Sequence, residues 1–247
     1  HLGRLVRDRK YRDAEGAIVI DGPRSLATAV QCGAEIEEIF VRENEYQRFS
    51  HLYSLETQVS EVDVRSFDSL ADSTTPQGVL AIARRVDAAF DSLAQEHRVV
   101  VMDAIQDPGN VGAIIRTAAA AGFGAVVGCV GTADLWSPRS VRASAGTIFS
   151  LNVHRQADLV EVLESVAEAG HTRVVTLASG TTPLDELKVQ ERMTLILGSE
   201  AHGVSDEAIE RSELKVAVPM AHPVESLNVS VTAGIVMYQM SGSFNGR

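Results

Sequence analysis

Val99-Val100-Val101-Met102, followed by Asp107-Pro108-Gly109-Asn110-Val111-Gly112 and running on to Arg116, is the stretch that decides the fold. Four apolar residues in a row read as a buried strand. Asn110 is expected to cap the next helix, its side chain accepting a free amide of the first turn, and Gly122 to end it. At about 100° per residue, Arg116 lies roughly 40° around that helix from Gly112, so the two share a face. Gly112 would admit a ligand or another backbone at close range, and Arg116 would reach across the same surface. Taken alone, the segment is read equally well as an ordinary capped helix with a surface arginine.

The same arrangement recurs twice further along. Thr194-Leu195-Ile196-Leu197 reads as a strand and leads into Gly198-Ser199-Glu200-Ala201-His202-Gly203, where Glu200 is the only carboxylate of the turn. Ser205 then caps a helix with Asp206 and Glu207 in its first turn, where the helix dipole favours negative charge. Val216 to Pro219 is a third strand, continued by Met220 and a polar loop through His222, Pro223 and Glu225. Ser226, Leu227 and Asn228 stand at the mouth of an apolar helix that runs to Met240. Each of these loops has a bland reading as a solvated turn or a simple cap.

Between them the α/β alternation continues. Ala125 to Val130, Ile148 to Val153 and Arg173 to Ala178 read as strands, and Pro138 to Ala145 and Asp158 to Ala169 as helices. Strands alternating with helices predict a mostly parallel sheet covered on both faces. Ordinary connection rules predict no knot. Residues 17–84 alternate in the same way on a smaller scale. Strands are expected at Ala17 to Ile20, Ile36 to Val41, Val59 to Val64 and Val79 to Ala83. A helix is expected from Pro23 to before Gly33, a short one over Tyr46 to Tyr53, and a turn at Thr74-Thr75-Pro76-Gln77-Gly78. The expected division is a small α/β domain over 1–86, a linker over 87–97 and a larger domain over 98–247.

A chain of 247 residues with 45% apolar content can bury one large core or two modest ones. Its formal net charge of −11 argues against a nucleic-acid partner for the chain as a whole. Residues 1–12 are locally basic, with Arg4, Arg7, Arg9, Lys10 and Arg12, so the start reads either as an arm that contacts phosphates or as a solvated terminus. Cys32 and Cys129 form neither a disulfide framework nor a zinc spacing, so no metal is expected and a reducing cytoplasm is the simplest compartment. No signal-peptide pattern opens the chain, and the absence of an initial Met points to a trimmed start. The longest uncharged stretch, Thr117 to Ala133, is interrupted by glycines and reads as a helix end plus a strand, not a membrane span. Gly122-Phe123-Gly124 precedes a strand, contrary to a dinucleotide loop; there is no Walker A lysine, and Ser144 lacks the first glycine of a nucleophile elbow.

Together the three loops resemble the motifs of the SpoU/TrmH branch of the SPOUT methyltransferases. That pattern is Asn-x-Gly-x-x-x-Arg-x-Ala, Gly-x-Glu-x-x-Gly, and Pro-Met followed by Ser-Leu-Asn. The chain matches it at Asn110, Gly112, Arg116 and Ala118; at Gly198, Glu200 and Gly203; and at Pro219, Met220, Ser226, Leu227 and Asn228. The likeness covers roughly residues 98 to 241. Asp21-Gly22-Pro23-Arg24 and Thr75-Pro76-Gln77-Gly78 are similar to loops of the RNA-binding α/β/α domain found before the catalytic domain in many of these enzymes.

The resemblance implies an α/β fold with a deep C-terminal trefoil knot, a homodimer, and methyl transfer from S-adenosylmethionine to a ribose 2′-hydroxyl of RNA. Ribosomal RNA, most simply 23S rRNA, is the expected substrate and tRNA the alternative. By matching position, Arg116, Asn110, Glu200, Ser226 and Asn228 are the expected catalytic set. Ala178, Gly198, Val218 and Leu227 are expected to line the cofactor site. Arg24, with Arg7, Arg9 and Lys10 of the basic start, would grip the RNA. A non-catalytic RNA-binding relative would be expected to lack Arg116 or Asn228, and both are present.

Overall fold

The computed structural model describes residues 1–53, 57–71 and 75–241. Thr74, at the start of the expected turn cluster, and residues 242–247 of the expected second domain lie outside the described residues.

Two short helices, α1 (Leu2–Arg7) and α2 (Arg9–Glu15), open the chain. They are followed by β1 (Ala17–Asp21), α3 (Pro23–Gln31), β2 (Ile36–Arg42), β3 (Gln58–Val62), α4 (Val64–Leu70) and β4 (Val79–Arg84). The four strands form one sheet in the order β1-β4-β2-β3, parallel only between β2 and β3. Alternation along β1 divides its faces: Ala17 and Val19 pack with Leu2, Leu5 and Phe67, while Ile18 and Ile20 pack with Leu26 and Ala29. Helices α1 and α4 therefore lie on one side and α3 on the other. The expected Tyr46–Tyr53 helix is a 3-10 turn over Tyr46–Leu52, and α4, capped by Asp63, was not foreseen.

The basic start is helical, not extended. Asp8 caps α2, and Arg12 is buried, donating to Leu5 O, to Val6 O and to Asp134 Oδ2 at 2.7 Å. A guanidinium has enough donors to close a turn and bridge to a carboxylate at once, so the charge of Arg12 serves folding.

The larger sheet is built from β5 (Arg98–Asp103), α5 (Pro108–Ala120), β6 (Ala125–Cys129), α6 (Pro138–Ala143), β7 (Asn152–Ala157), α7 (Leu159–Glu168), β8 (Thr172–Thr176), β9 (Thr182–Pro183), β10 (Met193–Gly198), α8 (Asp206–Glu210), β11 (Leu214–Ala217) and α9 (Val229–Met240). The strand order is β7-β6-β5-β10-β8-β11-β9, and every pair is parallel. Val100 and Met102 face α5 and α9, while Val99 and Val101 face α7 and α8, so both sides of the sheet are dry. The strand expected at Ile148 to Val153 is displaced. Gly146, at a φ of 80°, starts a 3-10 turn over Thr147–Ser150, and the strand begins at Asn152. A Cβ at Gly146 would lie 2.3 Å from Ser25 O, so this turn is where the larger sheet's layer meets α3.

The segment between the sheets is bound to both. Ala88 N donates to Val153 O, and Trp136 Nε1 donates to Asp87. Arg85 and Arg155 each pair with both Asp13 and Asp87. The apolar core runs without a break from Ile18, Ile20 and Leu26 through Val111 and Ile114 to Ala233 and Met237. No helix among the described residues is long and apolar enough to cross a membrane.

Candidate active site

Parallel strands deliver their following loops to one edge of a sheet, and ligands of such sheets sit beyond the strands' carboxyl ends. Gly198 is in register with Asp103, so the loops after β5 and β10 emerge side by side. The loop after β10, with the loops after β8 and β11 and the start of α9, lines a cleft of about 670 Å³. Ala178, Gly198, Val218, Leu227, Glu200, Ser226 and Asn228 all line it. The sequence reading missed Thr176, Leu177, Glu225 and Thr232, which also line the cleft but carry no motif to mark them.

The cap of α5 is Asp107, not Asn110: its Oδ1 accepts from Asn110 N at 2.9 Å, and Pro108 holds the first helical position. Proline has its φ preset for a helix start, which moves the cap one residue before it. Asn110 is thereby freed for tertiary contact. Its Nδ2 donates to Glu200 Oε1, and its Oδ1 accepts from Asn228 Nδ2 at 3.0 Å. Asn228 in turn caps α9, accepting from Ser230 N at 2.9 Å and from Ser230 Oγ at 2.6 Å. One carboxylate and two amides thus tie the three motif loops together.

Gly112 and Arg116 do not share a working surface. Gly112 is buried, and a Cβ there would lie 2.4 Å from Ser140 O and 2.5 Å from the Ala143 Cβ. Of the two readings of that glycine, the close neighbour is the backbone of α6. Arg116 is exposed, does not line the cleft, and has no hydrogen-bond or ion-pair partner among the described residues. It lies roughly 120° around α5 from Asn110, which is why Asn110 and Glu200 engage each other and not the guanidinium. Cys129 is no nucleophile: burial, with Asp103 and Asp158 nearby, pushes its thiol up to about 12.

The family model described as "SpoU rRNA Methylase family" matches residues 97–238. The chain belongs to that family. A second model, "MRM3-like substrate binding domain", matches residues 3–81. The chain is 30% identical over 237 residues to the 23S rRNA (guanosine(2553)-2′-O)-methyltransferase RlmP of Bacillus subtilis, covering 96% of this chain and 93% of that one. It is 25% identical to the SpoU methyltransferase AviRb of Streptomyces viridochromogenes, with a TM-score of 0.87 over 100% of this chain and 97% of that one. A structure titled for 2-OH methylation of C/U34 on tRNA shares 28% identity at a TM-score of 0.54, covering 61% of this chain and 99% of that one. As a SpoU enzyme, the protein is an S-adenosylmethionine-dependent methyltransferase of RNA ribose 2′-hydroxyls.

The SpoU cleft fits that cofactor. Its walls mix small apolar side chains with backbone, and the amides of Ala178, Val218 and Leu227 donate to no carbonyl among the described residues. Such amides, bordered by Leu177 and Val229, suit a ligand with a purine, a ribose and a zwitterionic tail. Gly198 is obligatory for the wall, because a Cβ there would sit 2.1 Å from the Gly203 carbonyl carbon. The 198–203 turn closes on itself through Gly203 N to Ser199 O at 2.8 Å and His202 N to Ser199 Oγ at 3.2 Å.

The four residues expected to grip RNA separate into two groups. Arg24 is exposed at the first turn of α3. Arg7, Arg9 and Lys10 lie on α1 and α2, across the four-stranded sheet from α3. Arg7 donates to Ser69 O at 2.7 Å and Arg9 sits 3.8 Å from Asp13.

Proposed function

We propose that this SpoU enzyme methylates a ribose 2′-hydroxyl of 23S rRNA. The observation that carries the choice of RNA is coverage. The Bacillus relative, whose name specifies 23S rRNA, aligns through both sheets at nearly full length, whereas the structure titled for tRNA corresponds to only part of the chain. We assign residues 1–86 to substrate binding, 87–97 to a linker and 98–247 to catalysis, supported by the two sheets and the extents of the two family models. A deep knot in the second unit is supported by β10, which inserts between β5 and β8 although β8 precedes it in the chain. The cytoplasm is the proposed compartment.

When bound, S-adenosylmethionine supplies a methyl group on a positively charged sulfur, already activated for attack. The chain's own task is to position, dehydrate and stabilise charge. The backbone amides of Ala178, Val218 and Leu227, with Gly198, hold the cofactor in the cleft. Asn110, Glu200 and Asn228 set the cleft's rim, and Ser226, exposed on the same rim, orients the ribose. Arg116 stabilises the developing 2′-oxyanion and contacts the adjacent phosphate; a guanidinium keeps its proton and is a poor proton acceptor.

Arg116 stands outside the cleft of its own chain, so we propose a homodimer in which one protomer's Arg116 serves its partner's cleft. The supporting surface is on α9, where Val231 and Ile235 are 49% and 39% exposed on one stripe. Gly234 of that stripe would place a Cβ 3.6 Å from Thr117 Cγ2, beside Arg116 on α5.

The test is incubation of unmodified 23S rRNA and tRNA transcripts with labelled cofactor. Label is expected in 23S rRNA, at one nucleotide that becomes resistant to alkaline cleavage. Label on a base, or on tRNA alone, would refute the reading.

A further inference from the structure

Helix α6 brings two arginines to the seam between the units. Arg142 Nη1 pairs at 2.9 Å with Asp21, which is 2% exposed and ends β1 just before α3, whose first turn carries Arg24. Arg139, three residues earlier and so on the same face of the helix, pairs at 3.1 Å with Asp107, the cap of α5. Its guanidinium lies over Gly109, where a Cβ would stand 3.6 Å from Nη2, next to Asn110 of the rim. Arg139 is 55% exposed, and only one of its nitrogens has a partner among the described residues. Arg24 is exposed and its guanidinium has none among them. Of the acids along this path, Asp21 and Asp107 are each engaged by an arginine, and Glu200 at the mouth accepts from Asn110.

We propose that Arg139 is an RNA-phosphate contact that, with Arg24, forms a track from the N-terminal unit to the mouth of the cleft. The inference rests on the 23S rRNA reading above. Asp107 holds the guanidinium through one nitrogen, and the remaining N–H groups of the half-exposed side chain have no partner among the described residues, which leaves them for phosphate oxygens. On a chain of net charge −11, favourable contact with a polyanion has to come from such local positions. Arg24, the N-terminal end of the track, lies on α3, across the sheet from Arg7, Arg9 and Lys10, so the track does not need them.

The decisive experiment measures binding of the full-length protein to an unmodified 23S rRNA transcript between about 50 mM and about 200 mM salt. Arg139→Gln is expected to weaken binding several-fold and to lower the slope of log affinity against log salt by about 0.7–0.9. Affinity for S-adenosylmethionine and melting temperature should stay at wild-type values. Arg139→Lys should restore the slope, and adding Arg24→Gln to Arg139→Gln should remove about one further unit. A residue that merely steadies Asp107 would alter melting without moving the slope. If wild type methylates the transcript while Arg139→Gln keeps the wild-type slope, this inference alone falls. If wild type does not methylate it, the 23S rRNA reading falls as well.

Discussion

Asn228 reaches Asn110 across 118 residues of sequence, donating from Nδ2 to Oδ1 at 3.0 Å. The same Asn228 caps α9 through its Oδ1, and the same Asn110 donates to Glu200. Each amide spends both ends, which fixes its orientation and holds the rim before substrate arrives.

Asn110→Ala and Asn228→Ala are each expected to reduce turnover at least tenfold, roughly 1.4 kcal/mol or more of barrier. Asn228→Ala should also cost about 1 kcal/mol of stability through the lost cap. Because the residues act as a unit, the double variant should be little worse than either single one. Kinetics on all four proteins, with urea melts, give the cycle; strict additivity would show that the two side chains act independently.

Arg116→Ala should abolish methylation while cofactor affinity stays near wild type. Co-expressing it with Ala178→Phe, which fills the cleft but keeps Arg116, tests supply from the partner. Mixed dimers would each hold one complete site, returning roughly a quarter of wild-type activity. No recovery, with mixed dimers confirmed by mass, would place Arg116 in service of its own cleft.

Gly112→Val drives a side chain into Ser140 O and Ala143 Cβ, both within about 2.5 Å of the new Cβ. Overpacking of this kind costs about 1–3 kcal/mol, and the urea midpoint should fall accordingly. Unchanged stability would mean that α5 and α6 separate easily.

Arg12 and Asp134 are 6% and 12% exposed at their side chains. Removing one partner of a buried pair leaves the other charge stranded, at a cost of about 3–5 kcal/mol. Arg12→Met should therefore unfold at markedly lower denaturant, and Arg12→Met with Asp134→Leu should recover part of the loss.

His154 and His171 are buried, and burial holds both below the ordinary 6.5, outweighing Glu96 and Asp87 near the former. The unfolded chain therefore binds more protons as pH drops through 6.5, so stability is complete above that value and is lost below it. Melting temperature should fall between about pH 7.5 and about pH 5.5, and His171→Gln should flatten the slope. A pH-independent melting temperature would contradict the assignment.

What the sequence made legible was the set of elements whose signal is local. Apolar runs such as Val99–Met102 and Met193–Leu197 became central strands because both sheet faces are buried. The glycine-bounded turn after the second lines the cleft, because parallel strands deliver their following loops to one edge of the sheet. β7 was misplaced because an edge strand, with Asn152, His154, Arg155 and Gln156, is too polar to announce itself. The cap at Asp107 was missed because Asn110 is an equally good capping residue three positions on, and Pro108 decided between them. The folding of residues 1–12 escaped because the partners of Arg12, Asp134 above all, lie far along the chain. Nor could helical angle alone separate Gly112 from Arg116: a 40° difference suffices to put one against α6 and the other in solvent.

The segment between the sheets has consequences for the substrate as well. With Arg85 and Arg155 each gripping Asp13 and Asp87, and an apolar interior common to both halves, a swing of the N-terminal half toward the methyl donor would have to break four ion pairs and open buried apolar surface. Contacts of this kind favour an RNA that fits the two halves as they stand.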